Sequence, residues 1–189
     1  EGDETSIEFE SLEMLGPNLG VSDLQSVLHL MTLCDDFGID TISTGGVIAF
    51  AMECFQRGVI SRQEADGMEL GWGNTRTVEE LIRKISLGEG IGRTLRHGSL
   101  KASKELAEGA SEYAMQVKGL EIPAWSPAVF KGMGLVYAVG DRGGDHLQAP
   151  MMRIEQKSWV LPGIGPVVMD KSASKSKGDI ATVVQDVKA

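Results

Sequence analysis

Apolar positions recur at intervals of three and four along most of this 189-residue chain, the spacing of helices that bury one face. Ser22 or Asp23 can cap a helix whose stripe runs through Leu24, Val27, Leu28, Met31 and Cys34. The next segment, from Ser43 to Arg57, is apolar on nearly every side, which predicts a helix enclosed by others and stopped by Gly58 at its C′ position. Thr77-x-x-Glu80 reads as a capping box before Leu81, Ile82 and Ile85. Ser99 opens a helix towards Gly109. Ser126-Pro127 reads as N-cap and first residue of a helix through Phe130, Leu135 and Val136, weakened by Gly132 and Gly134.

Beyond Gly140 the pattern loosens. Gly140 to Gly144 is glycine-rich, and prolines and glycines from Trp159 to Pro166 predict a loop. The Ser/Lys-rich run over 170–178 is expected to be an exposed, mobile loop, followed by a helix over Asp179 to Lys188. Only Val167-Val168-Met169 and part of Met151 to Ile154 suit strands. There is no βαβ alternation and no internal repeat. The fold class is therefore mostly α: one multihelical domain over residues 1–189.

A net charge of −9 argues against a nucleic-acid surface, which requires clustered Lys and Arg. No apolar run approaches the length of a membrane span. Cys34 and Cys54, both on predicted helices, read as buried free thiols. They form neither a disulfide framework nor, on their own, a metal site, and the expected compartment is the cytoplasm.

The link Cys34-Asp35-Asp36-Phe37-Gly38-Ile39-Asp40-Thr41 between the first two helices is the segment richest in chemistry. Gly38 can adopt positive φ and bring backbone N–H groups near a ligand. Asp35, Asp36 and Asp40 can accept hydrogen bonds from an amino-rich heterocycle. The same residues also suit a plain helix C-cap followed by an N-cap.

Asp35-x-x-Gly38-Ile39-Asp40-Thr41 resembles the D-x-x-G-L-(D/C)-x pterin-binding motif of the aldehyde:ferredoxin oxidoreductase family. Further runs resemble the family in order. Upstream are Glu8 to Glu13, Leu15 to Val21 and Asp23-Leu24; downstream are Ile48 to Glu53, Asp66 to Gly73, Gly88 to Gly92, Val117 to Pro123 and Asp141 to Leu147. The resemblance implies a partial chain, the helical pterin-binding region of a larger enzyme. That enzyme would oxidise aldehydes to carboxylic acids on a tungsten or molybdenum bis-pterin centre. Its electrons would pass through a 4Fe-4S cluster to ferredoxin or a similar acceptor. The cluster cysteines and an amino-terminal domain are expected outside residues 1–189. Expected partners are those remaining domains, the acceptor and further copies of the chain as a homo-oligomer, with no nucleic acid and no membrane.

By the same resemblance Asp35, Gly38, Ile39, Asp40 and Thr41 hold the pterin. Glu10, in a Phe-Glu setting like the family's Tyr-Glu, is the general base, and His146 orients the carbonyl oxygen. Taken alone, Glu10 reads as a solvated acid beside Glu8 and Glu13. Asp145 or Asp141 could hold the His146 tautomer, while Arg142 suits a pterin phosphate, Asp35 or a structural ion pair. His29 suits a helix surface and His97 a helix end. Three positions depart from the family: Phe9 for Tyr, Trp125 to Ala128 where an Asp-Pro-Arg-Gly-like run is expected, and Gln148 where a basic residue is frequent. These leave open a non-catalytic helical module of a larger complex and a freestanding acidic helical binding protein.

Overall fold

A computed structural model describes residues 7–161 and 163–188; Pro162 and Ala189, within the predicted loop and the last helix segment, lie outside the described residues. Nine α-helices and two small hairpins make up the described residues, so the mostly α reading holds. The single domain expected over 1–189 divides into two compact units, Glu1–Ala124 and Trp125–Ala189. Among the described residues no helix is long and apolar enough to cross a membrane.

The first unit is built around α1 (Phe9–Leu15), α2 (Leu24–Phe37), α3 (Thr41–Gln56), α4 (Thr75–Leu87), α5 (Gly92–Leu95) and α6 (Ser99–Leu106). Asp23 caps α2, accepting from the Ser26 backbone N–H. α3 is the central helix, as its all-round apolar sequence requires: Val47, Ile48, Phe50, Ala51, Met52 and Cys54 are all buried. Gly58, at φ 71°, follows its C-terminus. The capping box at α4 is displaced by one turn. Asn74 is the N-cap, accepting from the Thr77 N–H, and places Thr77 inside the helix. α6 ends at Leu106, short of Gly109, and a 3-10 turn over Ala110–Tyr113 follows.

The strands β1 (Gln116–Val117) and β2 (Leu120–Glu121) then form an antiparallel hairpin. Its corner residues Lys118 and Gly119 both have positive φ, the requirement of a tight two-residue turn matched to strand twist. The hairpin carries the buried Glu121 to the start of α6. There Glu121 Oε1 accepts from the Ser99 backbone N–H at 2.7 Å and from its hydroxyl at 2.9 Å.

Asp66 ties two of the sequence runs together. Its Oδ2 accepts from the Ile91 N–H at 2.8 Å and lies 3.1 Å from Lys84 Nζ. A Cβ on Gly90 would sit 1.8 Å from that same oxygen, so glycine is obligatory there. These contacts pack the segments at Asp66 and Gly90 against α4.

In the second unit α7 (Lys131–Val139) packs against α8 (Met151–Gln156) and α9 (Lys177–Lys188). Ser126-Pro127 opens only an isolated turn, with the Phe130 N–H bonded to the Ser126 carbonyl, and α7 begins after it. Met151 to Ile154 is helical and not a strand. Its unbranched residues favour a helix, and Met151, Ile154 and Glu155 fall on one buried face. The loop predicted from Trp159 to Pro166 is instead a hairpin of β3 (Trp159–Leu161) and β4 (Gly165–Val167), and of the predicted 167–169 strand only Val167 is paired. Pro166 is tolerated because a two-stranded ribbon has free edges. The Ser/Lys-rich run is exposed up to Ser176, but Lys177 is buried against Glu155, with further bonds to the Asp170 and Lys171 carbonyls. That ion pair corrects the expectation of an exposed loop at its last lysine.

Candidate functional site

The acidic link closes α2 and opens α3 within a few residues. Gly38 is left-handed, at φ 65° and ψ 37°; its N–H bonds to the Asp35 carbonyl and the Ile39 N–H to the Cys34 carbonyl, both at 3.0 Å. This is the plain helix C-cap that the same residues also suit, and it occupies both of these N–H groups. A Cβ on Gly38 would meet nothing within 4 Å, so glycine serves the dihedral angle and not a close approach. What the turn presents outward is acceptors: Asp35, Asp36 and Asp40 are exposed. Asp40 is also the N-cap of α3, its Oδ2 accepting from the Ser43 N–H at 2.7 Å. Beside the turn lies a cleft of about 250 Å³, lined among others by Ile39, Asp40, Ser43, Thr44, Ser86 and Arg96.

Glu10 is not a solvated acid. It is 3% exposed, and its Oε2 accepts from the Ala124 N–H at 2.8 Å. Loss of water raises its carboxyl above the ordinary 4.5, a shift opposed by the Ala124 bond and reinforced by the charges of Glu8 and Glu13. Its helix is fastened to the acidic link. Ser11 and Thr41 share a hydroxyl–hydroxyl bond of 2.8 Å, and Asn18 Nδ2 donates to the Gly45 carbonyl at 3.2 Å and the Met14 carbonyl at 3.4 Å. Gly45 lets the two backbones touch, since a Cβ there would lie 2.3 Å from the Met14 carbonyl oxygen. Within the first unit, Glu10 and the Asp35–Thr41 link thus belong to one packed pair of helices.

The second unit carries His146 and Arg142. His146 is half-buried after the Gly143-Gly144 turn. Arg142 Nη1 donates to Asp145 Oδ2 at 3.1 Å, the structural pairing among those foreseen for it. Asp145 Oδ1 accepts from the Leu147 N–H at 2.8 Å, and Asp141 Oδ1 accepts from the Arg142 N–H at 2.9 Å and from Gln148 Nε2. Gln148, a departure in sequence, therefore braces this loop. His29 Nε2 lies 3.5 Å from Glu79 Oε1 with both side chains half exposed, and His97 is exposed just past α5.

The residues fit one pterin well. A pterin ring edge offers several N–H donors and lacks charge, and the link offers exposed carboxylates on a fixed turn beside a cleft of mixed polar and apolar lining. They do not fit an iron–sulfur cluster. Cys34 and Cys54 are two buried free thiols, and among the described residues no group of three or more His, Cys, Asp or Glu could hold a metal ion. Sequence reasoning passed over Ser11, Asn18, Arg96 and Glu121. Only the small Gly45-Gly46 pair in an otherwise bulky helix signals the close crossing that Ser11 and Asn18 serve.

The whole chain, residues 1–189, matches the family described as aldehyde ferredoxin oxidoreductase, domains 2 and 3. The tungsten-containing aldehyde ferredoxin oxidoreductase of Pyrococcus furiosus is 41% identical over 155 residues, covering 82% of this chain and 25% of that protein. An aliphatic sulfonate oxidoreductase, WOR-like subunit, of the same organism is 32% identical over 145 residues, covering 74% of this chain and 23% of that one. Among solved structures, the active-site complex BamBC of benzoyl coenzyme A reductase with 1,5-dienoyl-CoA aligns at a TM-score of 0.60 and 27% identity, over 71% of this chain and 20% of that one. The chain thus spans about a quarter of the length of these curated relatives. It belongs to the aldehyde ferredoxin oxidoreductase family.

Proposed function

We propose that this chain is the pterin-cradling helical part of a tungsten- or molybdenum-dependent oxidoreductase that converts aldehydes to carboxylic acids. The observation that carries the reading is the fastening of a buried Glu10, its carboxyl raised by loss of water, to the outward-facing acidic link through Ser11, Thr41 and Gly45. A metal held by two pterin dithiolenes supplies the acceptor for the two electrons such an oxidation releases. The chain's own residues do the rest. Asp35 and Asp40 accept the ring N–H groups of one pterin, Gly38 and Ile39 keep the turn in shape, and Thr41 joins it to α1. Glu10, with a carboxyl raised above its ordinary value, takes the proton released as a water oxygen adds to the carbonyl carbon. His146 donates a hydrogen bond to the carbonyl oxygen, and the exposed edge of Arg142 meets a pterin phosphate.

Under this reading the partners are the other domains of the parent polypeptide, which hold the 4Fe-4S ligands, and ferredoxin or a similar acceptor, in a cytoplasmic homo-oligomer. The relatives' names support a redox role but differ in substrate, so the aldehyde is part of the proposal. Glu10→Gln in the full-length protein should lower aldehyde oxidation by about 10²–10⁴-fold with metal and pterin retained. Full activity in that variant would refute Glu10 as base. The departures at Phe9, Trp125–Ala128 and Gln148 favour a second reading, a non-catalytic helical interaction module. It predicts no oxidation of any aldehyde by the wild-type protein.

A further inference from the structure

The second unit contains a cleft of about 330 Å³ between α8, β3 and α9, a volume in the range of small-molecule sites. Buried Met152, Leu161 and Val184 form its floor, and Leu147 and Val187, about half exposed, form its rim. One charge interrupts this apolar lining. Arg153, in the last turn of α8, holds its guanidinium 5.6 Å from the centre of the Trp159 ring. This cation–π contact holds the exposed guanidinium beside the cleft, and its forked N–H donors suit a planar acceptor.

Three other arginines of this acidic chain are matched by carboxylates: Arg57 by Glu53, Arg83 by Glu80 and Glu89, Arg142 by Asp145. Among the described residues no carboxylate pairs with Arg153, and none lines the cleft. An oriented cation at an apolar hollow is complementary to a molecule with one planar anionic group and a hydrocarbon body. A polyphosphate would find a single fork and greasy walls; a neutral hydrocarbon would leave the fork unused.

We propose that this cleft binds an amphipathic monocarboxylate, with the carboxylate in bidentate contact with Arg153 and an aromatic ring or short alkyl body on Met152, Leu161 and Val184. The proposal does not rest on the Glu10 chemistry proposed above. Phenylacetate is a suitable probe and phenylethanol its uncharged counterpart. In a calorimetric titration of the full-length protein, phenylacetate should bind saturably, and at least about tenfold more tightly than phenylethanol, because the charge-assisted contact is lost in the alcohol. Arg153→Gln should bring the acid to the alcohol's affinity. Val187→Asp, at an exposed rim position that leaves folding undisturbed, should weaken the acid by repulsion and spare the alcohol. Glu10→Gln should change neither, which separates this cleft from the proposed reaction site. Absence of saturable binding, equal affinity for acid and alcohol, or binding that survives Arg153→Gln or is lost with Glu10→Gln would overturn the proposal.

Discussion

A methyl group added at Gly45 would lie 2.3 Å from the Met14 carbonyl oxygen and 2.8 Å from its carbon. Two opposed effects then decide the stability of Gly45→Ala. Alanine is favoured over glycine inside a helix by about 1 kcal/mol. Against this, the obstructing atoms are backbone and no rotamer change can clear them, so α1 must retreat from α3 by roughly 1 Å at a packing cost of about 1–3 kcal/mol. Retreat also weakens the Ser11–Thr41 and Asn18–Gly45 bonds, each worth about 1 kcal/mol. The clash wins, and we expect a net loss of about 2 kcal/mol and a Tm lower by roughly 4–8 °C. Urea unfolding and thermal melts by circular dichroism will read it. Gly71→Ala is the control, since a Cβ there meets nothing within 4 Å and its φ is not positive. If Gly45→Ala is as stable as the wild type, the close crossing of α1 and α3 is wrong, and with it the fastening of Glu10 to the acidic link.

Lys177→Met leaves the Glu155 carboxylate buried without its counter-charge and should cost about 3–5 kcal/mol, whereas the double variant with Glu155→Gln should recover most of that loss in denaturant titrations. Asp40→Ala removes the N-cap of α3 and should cost about 0.5–2 kcal/mol, read by the same melts. Asp66 loses some ionisation to burial, but the Ile91 N–H and Lys84 outweigh this and lower its pKa below the ordinary 3.8. Its contribution is therefore complete above 3.8 and lost as pH falls through the lower folded value, and Asp66→Asn should flatten the stability profile below pH 4. Glu10 has the opposite sign. Its raised pKa means that the folded state retains a proton which the unfolded chain gives up above 4.5, so stability declines as pH rises through that region, and Glu10→Gln should abolish that decline.

Helix content was legible wherever long segments repeat at three and four: α2, α3 and α9 stand where their stripes and caps predict. Asp23 and Asp40 are caps whose role follows from side-chain chemistry alone. Errors fall where short range competes with long range. Thr77 and Asn74 are both good caps, and the choice between them rests on packing of Val78 and Leu81 against the core. The Trp159–Val167 hairpin was hidden by its prolines and glycines, and Met151–Gln156 was hidden by its brevity. At the site, the acidic link was plain in sequence, and the cap reading of Gly38 accounts for the bonds its N–H and that of Ile39 make. Burial of Glu10 was invisible locally among Glu8 and Glu13, since it depends on Ala124, far along the chain. Lys177 escaped notice for the same reason, because its partner lies on α8.

The central claim is that the exposed carboxylates of the Asp35–Thr41 link hold a pterin. Asp35 is exposed, so Asp35→Ala should leave folding within about 0.5 kcal/mol. The decisive measurement is the metal and molybdopterin content of the full-length protein purified without oxygen, wild type beside Asp35→Ala. The account predicts tungsten or molybdenum with molybdopterin in the wild type, and a content lowered about tenfold in the variant through loss of charge-assisted ring contacts. A wild-type protein containing neither, or a variant with its full complement, would contradict it.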